Sequence, residues 1–171
     1  ATPQSPREAL ALTAQRFPDN DAIHIPKSAC SHYCSSDITL SYTELECAVS
    51  EATARWAATG VAGRVALVLE NRVEFFVHWL ALNALGISVI PINHEMPDEE
   101  IPYYLEHGEA VALCTLAEHE ARMAAIVSTL AEPCQVIRTD ALNPGQLGPA
   151  TGSVPAALNR ECALLYTSGS T

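Results

Sequence analysis

The feature that most constrains the fold of this chain is a regular alternation of short apolar runs and helical patterns that begins at Arg64. The apolar runs lie at residues 65–69, 87–92, 111–115 and 136–139, and a segment with helical periodicity separates each run from the next. Since the runs lack polar alternation, both faces of these strands should be covered, as is typical of a parallel sheet. The sequence therefore predicts an α/β fold in which helices flank a parallel sheet.

The helical segments between these runs differ in their apolar surfaces. Residues 73–85 are apolar on two sides, which predicts a helix buried between layers, whereas residues 98–106 and 117–130 carry single stripes and should face water on their other side. The spacing of Trp56, Phe75, Phe76 and Trp79 places these large aromatics in the core rather than around a ligand.

The residues before Arg64 predict a smaller arrangement. A helix is expected at residues 9–17, and strands at 22–25 and 38–40 should form a short hairpin around a polar loop at residues 27–37. Ser41 and Glu44 fit a capping box, which predicts a helix that begins there and ends at Gly60.

Composition limits the domain count and the partners. A chain of 171 residues with 49% hydrophobic and 17% charged residues suits one globular domain spanning 1–171, with a long surface loop at residues 140–161 before a last strand at 162–166. The net charge of -11 argues against nucleic acid or anionic membrane as partners. No apolar run is long enough for a membrane span, and the scattered cysteines are typical of reduced thiols, so we expect a cytoplasmic protein.

Several other candidate sites lack the residue spacing or the partner residues that their chemistry requires. Cys30, His32 and Cys34, with His24 nearby, offer zinc ligands, but they do not form paired C-x₂-C motifs, so no metal site is predicted. The residues His78, His94 and His107 lack a paired nucleophile, which favours structural or solvated roles. Neither a Walker motif nor a Rossmann fingerprint is present.

The last five residues carry the strongest candidate chemistry. Thr167, Ser168, Gly169, Ser170 and Thr171 supply four hydroxyls and one glycine directly after an apolar run. Backbone N–H groups of a tight turn there could converge on an anion, with the hydroxyls as further donors, which is the chemistry of a phosphate cradle. The same pentapeptide is also typical of a flexible tail, so the local pattern leaves both interpretations open.

Three segments of the chain resemble, in the same order, the first three core motifs of the adenylate-forming enzymes. They are residues 40–45, 82–93 and 164–171. The resemblance implies that Thr167 to Thr171 bind the β- and γ-phosphates of ATP, which reacts as its Mg²⁺ complex. It also implies that a carboxylic acid becomes an acyl adenylate with release of pyrophosphate, and that coenzyme A then takes the acyl group.

The resemblance also bears on the type of enzyme. Asn93 is similar to the asparagine that acyl-CoA synthetases often have at this place, where peptide-synthetase adenylation domains usually have aspartate, although His94 and Glu95 depart from the usual pattern. The first interpretation is therefore the N-terminal part of an acyl-CoA synthetase. A peptide-synthetase adenylation domain and a non-catalytic α/β binding module are the alternatives.

The family's other catalytic segments have no counterpart in these residues. The lysine that follows the phosphate loop, the adenine-, ribose- and Mg²⁺-binding segments and the C-terminal domain would all come after Thr171. We therefore expect no turnover from the 171-residue chain by itself, and no catalytic residue is assigned within it. The acid that the enzyme activates stays open.

Overall fold

The structure is a computed structural model that describes residues 3–140 and 161–167. Helices and strands alternate along most of this length, and a single 3₁₀ turn at Ala117–His119 precedes the last helix. The elements in chain order are α1 (Pro6–Arg16), β1 (Asp21–Ile25), α2 (Lys27–Cys30), β2 (Ile38–Ser41), α3 (Tyr42–Thr59), β3 (Arg64–Val68), α4 (Val73–Ala84), β4 (Ser88–Ile92), α5 (Ile101–His107), β5 (Ala110–Thr115), α6 (Glu120–Val127) and β6 (Gln135–Arg138).

The predicted parallel sheet is confirmed. Its strand order is β4-β3-β5-β6, and every neighbouring pair is parallel. Strand β3 comes first in the chain, β4 adds on one side of it, and β5 adds on the other. The β3–β5 boundary is therefore the point at which the direction of strand addition reverses. The predicted N-terminal hairpin is also present, because β1 and β2 pair antiparallel.

Helices cover both faces of the sheet, as the unbroken apolar runs require. Along β3, Val65 and Leu67 join one core while Ala66 and Val68 join the other, as expected for side chains that alternate between two faces. The first core lies under α1, α3 and α4 and includes the fully buried Trp56. The second lies under α5 and α6.

Helix α3 begins and ends as predicted. The Ser41 hydroxyl accepts a hydrogen bond from the Glu44 backbone N–H at 3.3 Å, and the Glu44 carboxylate accepts from the Ser41 N–H at 2.8 Å. Gly60 ends the helix at φ +69°, a left-handed conformation that glycine adopts without steric cost. These caps fix both ends of α3 and therefore the position from which the chain continues into β3.

Three predicted segments differ from the structure. The polar loop at residues 27–37 contains helix α2. The helix predicted at 98–106 starts only at Ile101, because residues 98–100 form a turn and Pro102 is tolerated only in a first helical turn. The segment predicted at 117–130 opens as a 3₁₀ turn, and its α-helix ends at Val127.

Helix α4 is not buried on both sides. Val77, Ala81 and Leu82 are buried, but Phe76 is 41% exposed, so the prediction that all four large aromatics lie in the core holds for Trp56 and fails for Phe76. Helix α4 packs against α1, α3 and the sheet, and these contacts bury Val77, Ala81 and Leu82 but leave Phe76 exposed.

The predicted last strand is shorter than expected. Among residues 161–167, Ala163 forms a single parallel bridge with Val89, supported by hydrogen bonds from the Val89 N–H to the Cys162 carbonyl at 3.2 Å and from the Leu164 N–H to the Val89 carbonyl at 2.9 Å. The predicted loop at 140–161 lies outside the described residues except at its two ends. No helix in the described ranges is long and apolar enough to cross a membrane.

Candidate functional site

The candidate site lies at the carboxyl edge of the sheet. Because Ala163 pairs in parallel with Val89, the terminal segment runs in the direction of β4, and Thr167 lies four residues further towards the edge where β4 ends. Thr167 is exposed, whereas the other predicted phosphate-binding residues, Ser168 to Thr171, lie outside the described residues. Ligands of open parallel sheets bind outside the carboxyl ends of the strands.

An ion pair holds the start of this segment at the opposite edge. Arg64, the first residue of β3, donates from Nε to Glu161 Oε1 at 2.7 Å and from Nη2 to Glu161 Oε2 at 3.2 Å. The hydrogen bond from Arg64, followed by one from Ser88, lowers the pKa of Glu161 to about 2. This bidentate contact fixes the orientation of the Glu161 side chain as well as its distance from Arg64, because the guanidinium and the carboxylate are both planar.

A side-chain amide fixes the next residue. Asn83 Nδ2 donates to the Cys162 carbonyl at 2.8 Å and to the Ile87 carbonyl at 3.0 Å. Asn83 Oδ1 accepts from the Trp79 indole at 3.1 Å, which sets the orientation of the amide. Asn83 thus joins the end of α4, the start of β4 and the terminal segment.

Tyr166 fixes the end of the segment. Its hydroxyl lies 2.8 Å from His107 Nδ1, and its ring meets the Tyr104 ring edge-on at 4.7 Å between centroids. Gly108 makes room for this packing, since an added Cβ would lie 2.5 Å from the Ile90 side chain and 2.7 Å from the Tyr104 carbonyl. Burial raises the pKa of Tyr166, so its hydroxyl stays protonated.

The loop that follows β4 is held by one arginine. Arg122 of α6 donates to the His94 carbonyl, the Met96 carbonyl and the Asp98 carboxylate, each at 2.6 Å. Next to this loop, a cavity of about 410 Å³ opens between the ends of β3 and β4. Its polar lining comes from residues 70, 71 and 93–95.

Asn93 has a local structural task at this edge. Its Oδ1 accepts a hydrogen bond from the Glu95 backbone N–H at 3.0 Å, which forms a turn that aspartate can also form. This hydrogen bond therefore does not distinguish asparagine from aspartate at this position.

A charged cluster borders the end of β3. Arg72 donates to Glu70 at 3.1 Å and to Glu74 at 2.9 and 3.1 Å, and its guanidinium carbon lies 4.3 Å from the centre of the Tyr33 ring. His32 hydrogen-bonds to Glu70. Burial acts to raise the pKa of Glu70, but the hydrogen bond and charge of His32, with the charge of Arg72, outweigh it and leave that pKa below its usual value.

Two of the histidines weighed as ligands or catalysts have side-chain partners: His24 contacts Thr39 across the hairpin, and His78 accepts a hydrogen bond from Trp56. Arg122 holds the His94 carbonyl, while the buried His94 Nδ1 has no hydrogen-bond partner within the described residues. Within residues 3–140 and 161–167, no group of three potential metal-binding side chains occurs.

Sequence reasoning missed the side chains that dock the terminal segment. Arg64 contacts Glu161 across 97 positions, Asn83 contacts Cys162 across 79, and His107 contacts Tyr166 across 59. Helical and strand periodicity report only on neighbours a few positions apart, so no local pattern could pair these residues. The one available signal was compositional, namely charged and amide side chains at the ends of apolar segments.

Comparisons with known proteins identify the family to which the chain is similar. Residues 10–171 match the family of AMP-binding enzymes. The antimetabolite synthetase AmbB of Pseudomonas aeruginosa is 28% identical over 160 residues, which are 92% of this chain and 12% of that protein. The crotonobetaine/carnitine–CoA ligase of Shigella sonnei is 32% identical over 80 residues, which are 46% of this chain and 16% of that protein.

Solved structures show the same fold. The O-succinylbenzoate coenzyme A synthetase of Bacillus subtilis, solved with AMP, superposes with a TM-score of 0.74 at 23% identity, over 98% of this chain and 40% of that one. The chain thus spans 40% of that structure and less than a fifth of AmbB and of the carnitine–CoA ligase. Because the family match covers nearly all of the sequence, the chain belongs to the AMP-binding enzyme family.

Proposed function

We propose that this chain is part of an ATP-dependent carboxylate ligase and that Thr167 to Thr171 form its ATP phosphate loop. The observation that supports this most is the docking of residues 161–166, which directs Thr167 towards the carboxyl edge of the sheet in a chain of the AMP-binding family. A flexible tail needs no such anchoring, and here a bidentate ion pair, an amide and a half-buried tyrosine supply it.

The residues suit a triphosphate. Glycine at position 169 permits a tight turn whose N–H groups point outward, and the four hydroxyls add donors without bulk. In the proposed reaction a carboxylate oxygen attacks the α-phosphorus of ATP, pyrophosphate leaves, and the acid becomes an acyl adenylate. Mg²⁺ would arrive with the nucleotide and neutralise phosphate charge. The loop's part is to hold the β- and γ-phosphates as they become the leaving group.

The acceptor of the acyl group defines two candidates. We favour coenzyme A, because Asn93 fits that type and the crotonobetaine/carnitine–CoA ligase of Shigella sonnei is 32% identical over the 80 residues that it matches. The peptide-synthetase alternative is supported by the match to tyrocidine synthase 2 of Brevibacillus parabrevis, 28% identical over 114 residues, which are 66% of this chain and 3% of that protein.

A two-stage assay separates these candidates. The whole protein that contains this chain is first tested for carboxylate-dependent exchange of labelled pyrophosphate into ATP, over a panel of aliphatic, aromatic and amino acids. The proposal expects exchange with at least one acid, and its absence across the panel would contradict adenylation. Any active acid is then offered with coenzyme A or with a phosphopantetheinylated carrier protein. A coenzyme A thioester supports the first candidate, and acylation of the carrier alone supports the second.

A further inference from the structure

Two cysteines lie one turn apart in the segment that joins β1 to β2. Cys30 ends α2, and the Cys34 backbone N–H donates to the Cys30 carbonyl at 2.7 Å. Four residues of helical rise at about 1.5 Å each place the two Cα atoms about 6 Å apart. Disulfides join Cα atoms about 4.4 to 6.8 Å apart, so this separation lies within the range of a bridge.

The two sulfur atoms also point to the same place. Cys30 Sγ lies 3.5 Å from the Ser36 carbonyl oxygen, and Cys34 Sγ lies 3.9 Å from the Ser36 hydroxyl. Both sulfur atoms thus lie beside Ser36.

The surroundings of the two thiols differ. Cys30 is fully buried, and burial raises the pKa of its thiol. Cys34 is partly exposed, and hydrogen bonds from the Ser36 backbone N–H and then from the Ser36 hydroxyl lower its pKa. A partly exposed thiol with a lowered pKa beside a buried second thiol is the arrangement of an oxidisable cysteine with its resolving partner.

We propose that Cys30 and Cys34 are a modification site at which hydrogen peroxide, a two-electron oxidant, closes a reversible disulfide. The Cys34 thiolate attacks one peroxide oxygen, the O–O bond breaks, and Cys34 becomes a sulfenic acid while hydroxide leaves. Cys30 then attacks Cys34 Sγ, and the sulfenic oxygen leaves as water with the Cys30 proton. In sum, two thiols are oxidised and one peroxide is reduced to two waters.

The bridge would close around residues that reach the carboxyl edge. His32 and Tyr33 lie between the two cysteines, and they contact Glu70 and Arg72 at the end of β3. The modification site is thus connected to the edge where we place the ATP site, although it does not depend on that assignment.

The test maps thiols by mass spectrometry. The 171-residue chain is treated with one equivalent of hydrogen peroxide, alkylated with N-ethylmaleimide under denaturing conditions, and cut with trypsin and a glutamate-specific protease. Cleavage after Lys27 and Glu44 isolates both cysteines from the exposed Cys47. The expected result is a 28–44 peptide that has lost two hydrogens and both alkylation sites, and that recovers both after dithiothreitol.

Three variants make the outcome decisive. In Cys34→Ser, Cys30 should stay reduced. In Cys30→Ser, oxidation should stop at a Cys34 sulfenic acid that dimedone traps. The control Cys47→Ser should form the bridge as the unmodified chain does. Oxidation of Cys47 or Cys162 before Cys34 would overturn the proposal. So would a Cys34 that alkylates and stays reduced, or one that goes directly to a sulfinic acid without a bridge.

Discussion

A tryptophan and a histidine form the buried polar contact between α3 and α4. Trp56 Nε1 donates to His78 Nδ1 at 3.0 Å, and His78 is only 5% exposed. An imidazole that accepts this bond must be neutral at Nδ1. Burial lowers the pKa of His78 from 6.5 to about 4. The contact therefore ties helix packing to the protonation state of one ring.

The first prediction concerns acid stability. An unfolded histidine takes up its proton as the pH falls below 6.5, while folded His78 resists until about pH 4. The stability that neutral His78 provides is complete above pH 6.5 and is lost as the pH falls to 4, by about 3 kcal/mol in total. His78→Asn keeps an acceptor near Nδ1 but does not titrate. Urea unfolding from pH 7 to 4 should show a smaller loss of stability in this variant.

The matched control is His24→Asn. His24 is an exposed histidine on the hairpin, so its replacement removes one imidazole without touching the buried contact. The account expects the pH profile of this variant to follow that of the unmodified chain. Parallel profiles for all three proteins would contradict the assignment of His78 as a buried neutral ring.

Single elements depend on contacts that join distant parts of the chain. The segment 161–167 has one bridge to β4, and side chains from β3, α4 and α5 supply the rest of its attachment. A segment with only one β-bridge to the sheet is expected to open easily unless side-chain contacts hold it in place. The position of the segment that leads to Thr167 therefore depends on residues at the amino edge of the sheet.

The second prediction tests this attachment. Glu161→Gln keeps the size of the side chain and removes the charge that Arg64 binds. Since both side chains are about a third exposed, solvent screening limits the loss to about 1 kcal/mol, or about fivefold in local opening. Hydrogen exchange at the Val89 and Leu164 amides should accelerate by that factor, because these amides form the bridge.

Glu109→Gln is the control for the same arginine. Glu109 also contacts Arg64, at 3.3 Å, but its side chain is 83% exposed, so its contribution should be screened. We expect unchanged exchange at Val89 and Leu164 in this variant. Equal acceleration in both variants would mean that general charge loss, and not the docking of Glu161, controls the segment.

The helices and strands also show which structural features can be predicted from the sequence and which cannot. The parallel sheet and the caps of α3 were predictable, because unbroken apolar runs, Ser41, Glu44 and Gly60 are local signals. The late start of α5 and the exposure of Phe76 were missed, because they depend on what packs against each helix. A hydrophobic pattern identifies apolar faces, but tertiary contacts decide which of them are covered.

At the scale of the whole molecule, the sequence carries the proposed phosphate-binding residues but not the contacts that hold the segment before them. The hydroxyl-rich loop and the order of three motifs pointed to ATP, while Arg64, Asn83 and Tyr166 emerged only from the fold. A chain can match the motifs and still need those contacts to present them.

The central claim is that Thr171 belongs to a loop that binds ATP phosphates, and one pair of variants tests it most directly. In the whole protein, carboxylate-dependent exchange of pyrophosphate into ATP is measured for Thr171→Val, which keeps the shape and removes the hydroxyl, and for Thr171→Ser, which keeps the hydroxyl. A hydrogen bond to a charged group contributes about 1.5 to 3 kcal/mol, so the valine variant should lose about 10- to 100-fold in kcat/KM for ATP while the serine variant stays near the unmodified rate. Equal rates in all three proteins would contradict the claim.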